Sequence, residues 1–230
     1  MPAYWTSRWA LRGDALAAVR AGVLESPLVG ASTLAGSFQS SRGFGVVFTL
    51  EGVPALLERF PFLAPYWAKV RGRAPERRLL PPLERWFFRA PSAPNAFFLN
   101  LLSLGAGAEV GRHVDATLAK PSGVAEATPL LVSVLYLSVP KGGRGGRLLL
   151  DEERDGTEVG RVQPREGTLL HFRGDLAHRV EAFTSDAPDA LRASLVLEQY
   201  QFPAEALARL PTFEVQSRAG FSAYLEDHRR

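Results

Sequence analysis

Between Ala96 and Gln201 the sequence falls into short apolar segments, each closed by a turn rich in glycine or proline. Phe97 to Leu104 and Leu130 to Ser138 are the most continuously apolar, as strands buried on both faces are. Glu109 to Asp115, Arg147 to Asp151, Glu158 to Val162, Gly167 to Phe172 and Arg192 to Gln201 complete the set. About eight short strands with glycine-rich turns predict a jelly roll of two packed sheets. The run Lys141 to Gly146 lacks the Lys-Ser/Thr ending of a phosphate loop and is read as a hairpin connection. Ala116 to Pro129, with no strong periodicity, is read as a loop.

The chain ahead of this block has a different texture. Residues 14 to 25 carry apolar positions at helical spacing behind Asp14 as an acidic N-cap, and Pro27 ends the helix. Phe44 to Leu50 is a strand; Val53 to Arg59 is a short helix cut at Pro61 and Pro65, with Trp67 to Arg71 as its continuation. Arg71 to Pro94 is rich in Arg, Pro and aromatics, with Trp86 to Phe88 as an apolar anchor against the later sheet. Ala204 to Leu210 reads as a closing helix before an ill-defined tail, and no internal repeat is present. The expected organisation is α+β: a helical support region over 1–95, a β core over 96–202, and a helix and tail over 203–230.

Composition removes several chemistries. There is no cysteine, so disulfides, Cys-ligated zinc, iron–sulfur clusters and thiol catalysis are excluded. A net charge of +3 without a basic run argues against a nucleic-acid partner. No apolar stretch of about 18 residues is available to cross a bilayer, and Met1 to Gly13 lacks a signal-peptide pattern. A cytoplasmic protein with no membrane partner is expected. Nothing in the pattern sets an oligomeric state.

The second sheet-forming segment ends in His113-Val-Asp115. In an extended strand alternate side chains share a face, so this imidazole and carboxylate point the same way. One more imidazole would complete the two-His-one-carboxylate set that binds iron with positions left open. Of the other histidines, His228 lies in the charged tail, His171 lies inside a strand, and His178 lies where the chain re-enters the sheet. His178 is preferred as third ligand over His171, whose plainer reading is a hydrogen-bonded core or surface histidine. Arg192 opens the final strand, and a guanidinium pointing into an apolar barrel needs an anionic partner. Its planar fork suits a carboxylate, and Ser194 shares its face.

These segments, in this order, resemble the iron(II)- and 2-oxoglutarate-dependent dioxygenases, in particular the prolyl-hydroxylase-like branch. The resemblance runs over about residues 98 to 201: Gly107 to Asp115, Val134 to Ser138 with Gly145-Gly146, Pro164 to Phe172, His178 to Val180, and Arg192. It implies a double-stranded β-helix with helices packed outside. It implies His113, Asp115 and His178 as the iron ligands, Arg192 on the distal carboxylate of 2-oxoglutarate, and the Tyr136 hydroxyl on that same carboxylate. Leu104 stands where the family often has Tyr, and Asn100, on the face of Leu104, is either a polar contact or a core amide. The implied reaction hydroxylates a C–H bond using O2, giving succinate and CO2, with ascorbate as a supporting reductant. Asp115 argues against the halogenating relatives, which have a small residue there. A prolyl or other protein side chain is the first substrate expectation; a free amino acid or small natural product is the second. Nucleic-acid demethylation is disfavoured, because that branch carries a second Arg where this chain has Glu198. A non-catalytic cupin-like binding protein, in which His113 and His178 are structural, is the alternative of another class and predicts no iron-dependent turnover of 2-oxoglutarate; a zinc hydrolase on a similar barrel would leave Arg192 unexplained.

Overall fold

The computed structural model describes residues 2–31, 41–70, 93–187 and 189–219. The chain opens with β1 (Tyr4–Ser7), α1 (Gly13–Leu24), β2 (Gly30–Ala31), β3 (Ser41–Gly43) and β4 (Gly45–Thr49). Two short helices follow, α2 (Val53–Arg59) and α3 (Ala64–Val70), joined by a single 3-10 turn at Pro61–Leu63. Next are β5 (Ala96–Gly105), β6 (Val110–His113), α4 (Ala119–Ser122) and β7 (Leu131–Ser138). Then come β8 (Arg144–Gly145), β9 (Leu148–Asp151), β10 (Glu158–Val162) and β11 (Leu169–Arg173). The chain continues through β12 (Ala177–Val180), β13 (Phe183–Thr184), β14 (Leu191–Tyr200), α5 (Ala204–Leu207) and β15 (Phe213–Gln216).

The strands form a nine-stranded sheet and a four-stranded sheet facing it, the expected jelly-roll layering. The large sheet runs β1-β11-β7-β14-β5-β3-β2, with β4 between β5 and β15; the small one runs β10-β9-β12-β6. Strict alternation divides each central strand between two cores. Phe97, Leu99 and Leu101 of β5, Leu135 and Leu137 of β7, and Leu195 and Leu197 of β14 face outward. There they pack with Val19 and Val23 of α1, Leu56 of α2, and Tyr66, Trp67 and Val70 of α3. Leu102 and Leu104 of β5, Val132, Val134 and Tyr136 of β7, and Leu170 and Phe172 of β11 face the small sheet. Each fully buried aliphatic chain contributes about 1.5–3 kcal/mol, so the alternation fixes the register of every central strand.

Several local expectations are corrected. The residue preceding α1 is Arg12, extended and making no side-chain cap; Asp14 lies inside the first turn, where its charge still complements the helix dipole. Pro65 does not cut a helix but sits in the first turn of α3, where its missing N–H costs nothing. The 141–146 run is not a hairpin. It carries the chain from β7 in the large sheet to β9 in the small one, and its Arg144–Gly145 pairs with β13. Gly142, Gly145 and Gly146 all adopt positive φ along this crossing, which other residues rarely do. The loop expected over 116–129 contains the single turn α4, and the closing helix is shorter than expected.

The N-terminal region is also more than helical support: β1 pairs with β11, and β3 and β4 with β5. β15 pairs with β4 in the stretch expected to be irregular. The Trp86–Phe88 anchor and His228 lie outside the described residues. No helix among the described residues is long and apolar enough to cross a membrane.

Candidate metal centre

In the small sheet β12 pairs with β6, and the register sets His178 directly opposite His113. Their rings face one another with centroids 4.2 Å apart. β6 ends at His113, so Asp115 reaches the same place from irregular chain, not by strand alternation. Asp115 Oδ1 lies 3.4 Å from His113 Nε2, and Oδ2 lies 3.5 Å from His178 Nε2. One ligand atom from each of the three residues falls within 4.8 Å of the others. His113 Nδ1 is 2.8 Å from the Gly111 carbonyl oxygen and His178 Nδ1 is 3.3 Å from that of Leu176. A protonated Nδ1 donating to these carbonyls leaves the Nε2 lone pairs for a metal.

The electrostatics match that assignment. Burial pushes the Asp115 carboxyl up, but His178 and His113 beside it bring it below the ordinary carboxylate range. Burial lowers His178, with Asp115 opposing. Burial also lowers His113, and there the adjacent Asp115 outweighs it, so the ring ends above its ordinary value. An ionised Asp115 and a readily neutral His178 are forms that bind a divalent cation, while His113 has to give up the proton that Asp115 favours.

The triad opens into a cleft between the sheets. Its walls include Asn100 and Leu102 of β5, Val134 of β7, Phe172 of β11, and Arg192, Ser194, Val196 and Glu198 on alternate positions of β14. Arg192 is only 1% exposed, yet its Nε and Nη1 have no hydrogen-bond partner among the described residues. Burial pushes this guanidinium below its ordinary value, with Tyr136 opposing. Its carbon lies 5.3 Å from the Tyr136 ring centroid, and the Tyr136 hydroxyl is likewise buried without a partner. Burial raises the Tyr136 hydroxyl, and the neighbouring guanidinium opposes that rise. A Cβ at Gly146 (φ +66°) would stand 3.5 Å from Arg192 Cδ, so the glycine crossing forms a close wall beside this side chain.

His113, Asp115, His178, Arg192, Tyr136, Ser194 and Asn100 therefore lie on one region of the inner faces. Asn100 and Ser194 line the cleft, and Tyr136 sits beside Arg192. Leu104 pairs with Arg192 in the β5–β14 register and is fully buried, giving an apolar contact there. His171 is removed as an alternative ligand. It faces the outer side of β11, stacked on Trp5 at 4.8 Å, with Ser133 Oγ 2.8 Å from its Nδ1.

One cleft residue was noticed in the sequence only as the absence of an Arg. Glu198 is 2% exposed, accepts hydrogen bonds from the Thr117 hydroxyl (2.7 Å), the Thr117 N–H (3.4 Å) and the Tyr200 hydroxyl, and lies near Asp115. Burial, and then the charge of Asp115, push its carboxyl well above the ordinary range, against those three donors. The period-2 count from Arg192 through Ser194 and Val196 would have placed it on the cleft wall.

No protein-family model matches the chain, and no curated protein matches its sequence. Solved structures do match. A prolyl-4-hydroxylase from Pseudomonas putida superposes with a TM-score of 0.52 at 17% identity, over 88% of this chain and 94% of that one. The chain has the fold of the prolyl hydroxylases. A prolyl hydroxylase from Trichoplax adhaerens, solved with a hypoxia-inducible-factor oxygen-degradation-domain peptide, gives 0.50 at 15% identity over 87% and 84%. OsALKBH1 gives 0.51 at 14% identity over 88% and 98%. This double-stranded β-helix thus serves more than one kind of protein, and function has to be argued from the cleft.

Proposed function

We propose that the protein is an iron(II)- and 2-oxoglutarate-dependent oxygenase that hydroxylates an unactivated C–H bond. The observation that carries this is Arg192: a buried cation without an anionic partner among the described residues, in the same cleft as a His113/Asp115/His178 triad. The donor set fits iron(II), because two imidazoles and a carboxylate on one side of the cleft leave positions open for other ligands. When bound, the iron with 2-oxoglutarate and O2 supplies the oxidising power that turns C–H into C–OH, with succinate and CO2 as co-products.

The chain's own residues do the remainder. Arg192 holds the distal carboxylate through its planar fork, with the Tyr136 hydroxyl as a second donor and the Ser194 hydroxyl on the same face. Leu102, Val134, Phe172 and Val196 exclude water along the cleft. Asn100 is the neutral polar group available to orient the substrate or the cosubstrate.

The proposed substrate is a prolyl or other protein side chain, acted on in the cytoplasm. The peptide-bound neighbour supports a polypeptide substrate, and Glu198 in place of a second Arg disfavours nucleic acid. The test is succinate formation from 2-oxoglutarate with purified protein and iron(II), with and without ascorbate. The expectation is turnover in the wild type and none in His113→Ala or Arg192→Ala. Peptide and free amino-acid panels then separate the two substrate classes by stimulated succinate and the gain of one oxygen in mass. Absence of both metal and 2-oxoglutarate binding in the wild type would overturn the oxygenase and leave a cupin-like binding protein.

A further inference from the structure

We propose that Glu198 is a positioning residue that aims Asp115 at the metal, an inference that rests on the metal-centre reading above. β6 ends at His113, and residues 114–116 belong to no strand or helix. Asp115 therefore has no ladder to fix its direction, and its aim depends on whatever holds the next residues. They are held from β14. The Thr117 hydroxyl donates to Glu198 Oε1 at 2.7 Å and the Thr117 N–H donates to Oε2 at 3.4 Å. One residue on, the Leu118 N–H donates to the Tyr200 hydroxyl at 3.5 Å, and that hydroxyl donates in turn to Glu198. Leu118 is fully buried among Phe98, Tyr200 and Phe202, which pins the same segment by packing.

The anchor itself is rigid. Glu198 pairs with Phe98 on one side and Val132 on the other, in the middle of the large sheet. Tyr200 and Glu198 project to the same face two residues apart, so one stretch of strand holds both attachment points.

The experiment is titration of the metal-free full chain with Co(II), read by its visible absorption bands and by dissociation constant, with circular dichroism as the control for folding. Groups that orient a metal ligand typically change affinity by about 10–100-fold. Glu198→Ala is expected to weaken Co(II) binding in that range and to shift the absorption bands. Glu198→Gln, which keeps an acceptor for Thr117, is expected to recover most of the affinity. Tyr200→Phe and Thr117→Val are expected to weaken binding by a few fold each. A folded Glu198→Ala protein that binds Co(II) within about twofold of wild type, with unchanged bands, would overturn the proposal, since a merely structural tie alters stability and not the spectrum. If that variant does not fold, the Thr117→Val/Tyr200→Phe double variant carries the test with the same two outcomes. The control is His113→Ala: wild type binding no tighter than that variant sinks the metal centre itself, a different result from tight binding indifferent to Glu198.

Discussion

On the outer face of β7, β11 and β14, Ser133, His171 and Gln199 are buried and hydrogen-bonded in series: Gln199 Nε2 donates to Ser133 Oγ at 2.9 Å, and Ser133 lies 2.8 Å from His171 Nδ1. On the inner face of the same strands, Arg192 and the Tyr136 hydroxyl are equally buried, and Arg192 Nε and Nη1 and the Tyr136 hydroxyl meet no hydrogen-bond partner among the described residues. The two faces share backbone, register and depth. They differ in whether the polar groups are closed on one another or left open toward a cleft. A closed network contributes to stability; an open one costs stability and is retained where something binds.

Substitutions on the two faces should therefore separate function from stability. The largest effect is expected at the triad: Asp115→Ala should reduce succinate formation to background while the chain stays folded by circular dichroism. Arg192→Met should come next and act in two directions. It should cost about 2–5 kcal/mol in 2-oxoglutarate binding, roughly a 30- to several-thousand-fold rise in dissociation constant by calorimetry. The same change removes an unpaired buried charge, so the thermal midpoint of the ligand-free protein should rise. A fall in that midpoint would mean that the inner face is not strained in the way described.

On the outer face the signs reverse. His171→Ala should cost about 1–3 kcal/mol of stability in denaturant unfolding, because Ser133 loses a buried partner and Trp5 loses its stacked ring. Its turnover per folded molecule should match wild type. The smallest effect is expected from Tyr136→Phe, which removes one hydroxyl from the proposed cosubstrate end. A loss of about 0.5–1.5 kcal/mol in 2-oxoglutarate affinity is expected, with little change in the rate at saturation. A change in rate without a change in affinity would move Tyr136 from the cosubstrate to the substrate side.

Legibility in the sequence followed the range of the forces involved. The core strands were readable because alternation and apolar runs are local: Arg192 and Ser194 share the cleft face of β14, and Asn100 the corresponding face of β5, as period 2 requires. The short outer strands were not. β1, β2, β3 and β15 are two to four residues long, and each exists only because a longer strand offers it a partner. Their own composition carries no comparable periodicity.

The sequence by itself determined which chemical groups are present, an imidazole and a carboxylate two residues apart and an Arg opening a later strand, and that Arg192 and Ser194 share a strand face. It also excluded thiol chemistry outright. Only the tertiary structure decided which histidine joins the pair. His171 and His178 are seven residues apart, and pairing partners alone set one against Ser133 on the outer face and the other against His113 in the cleft. The same holds for Asp115, which is aimed from beyond its strand, and for Glu198, whose three donors come from Thr117 and Tyr200. Side-chain alternation is a property of consecutive residues. Which two strands lie side by side is set by the burial of the whole sheet, and that has no counterpart in any short window of the chain.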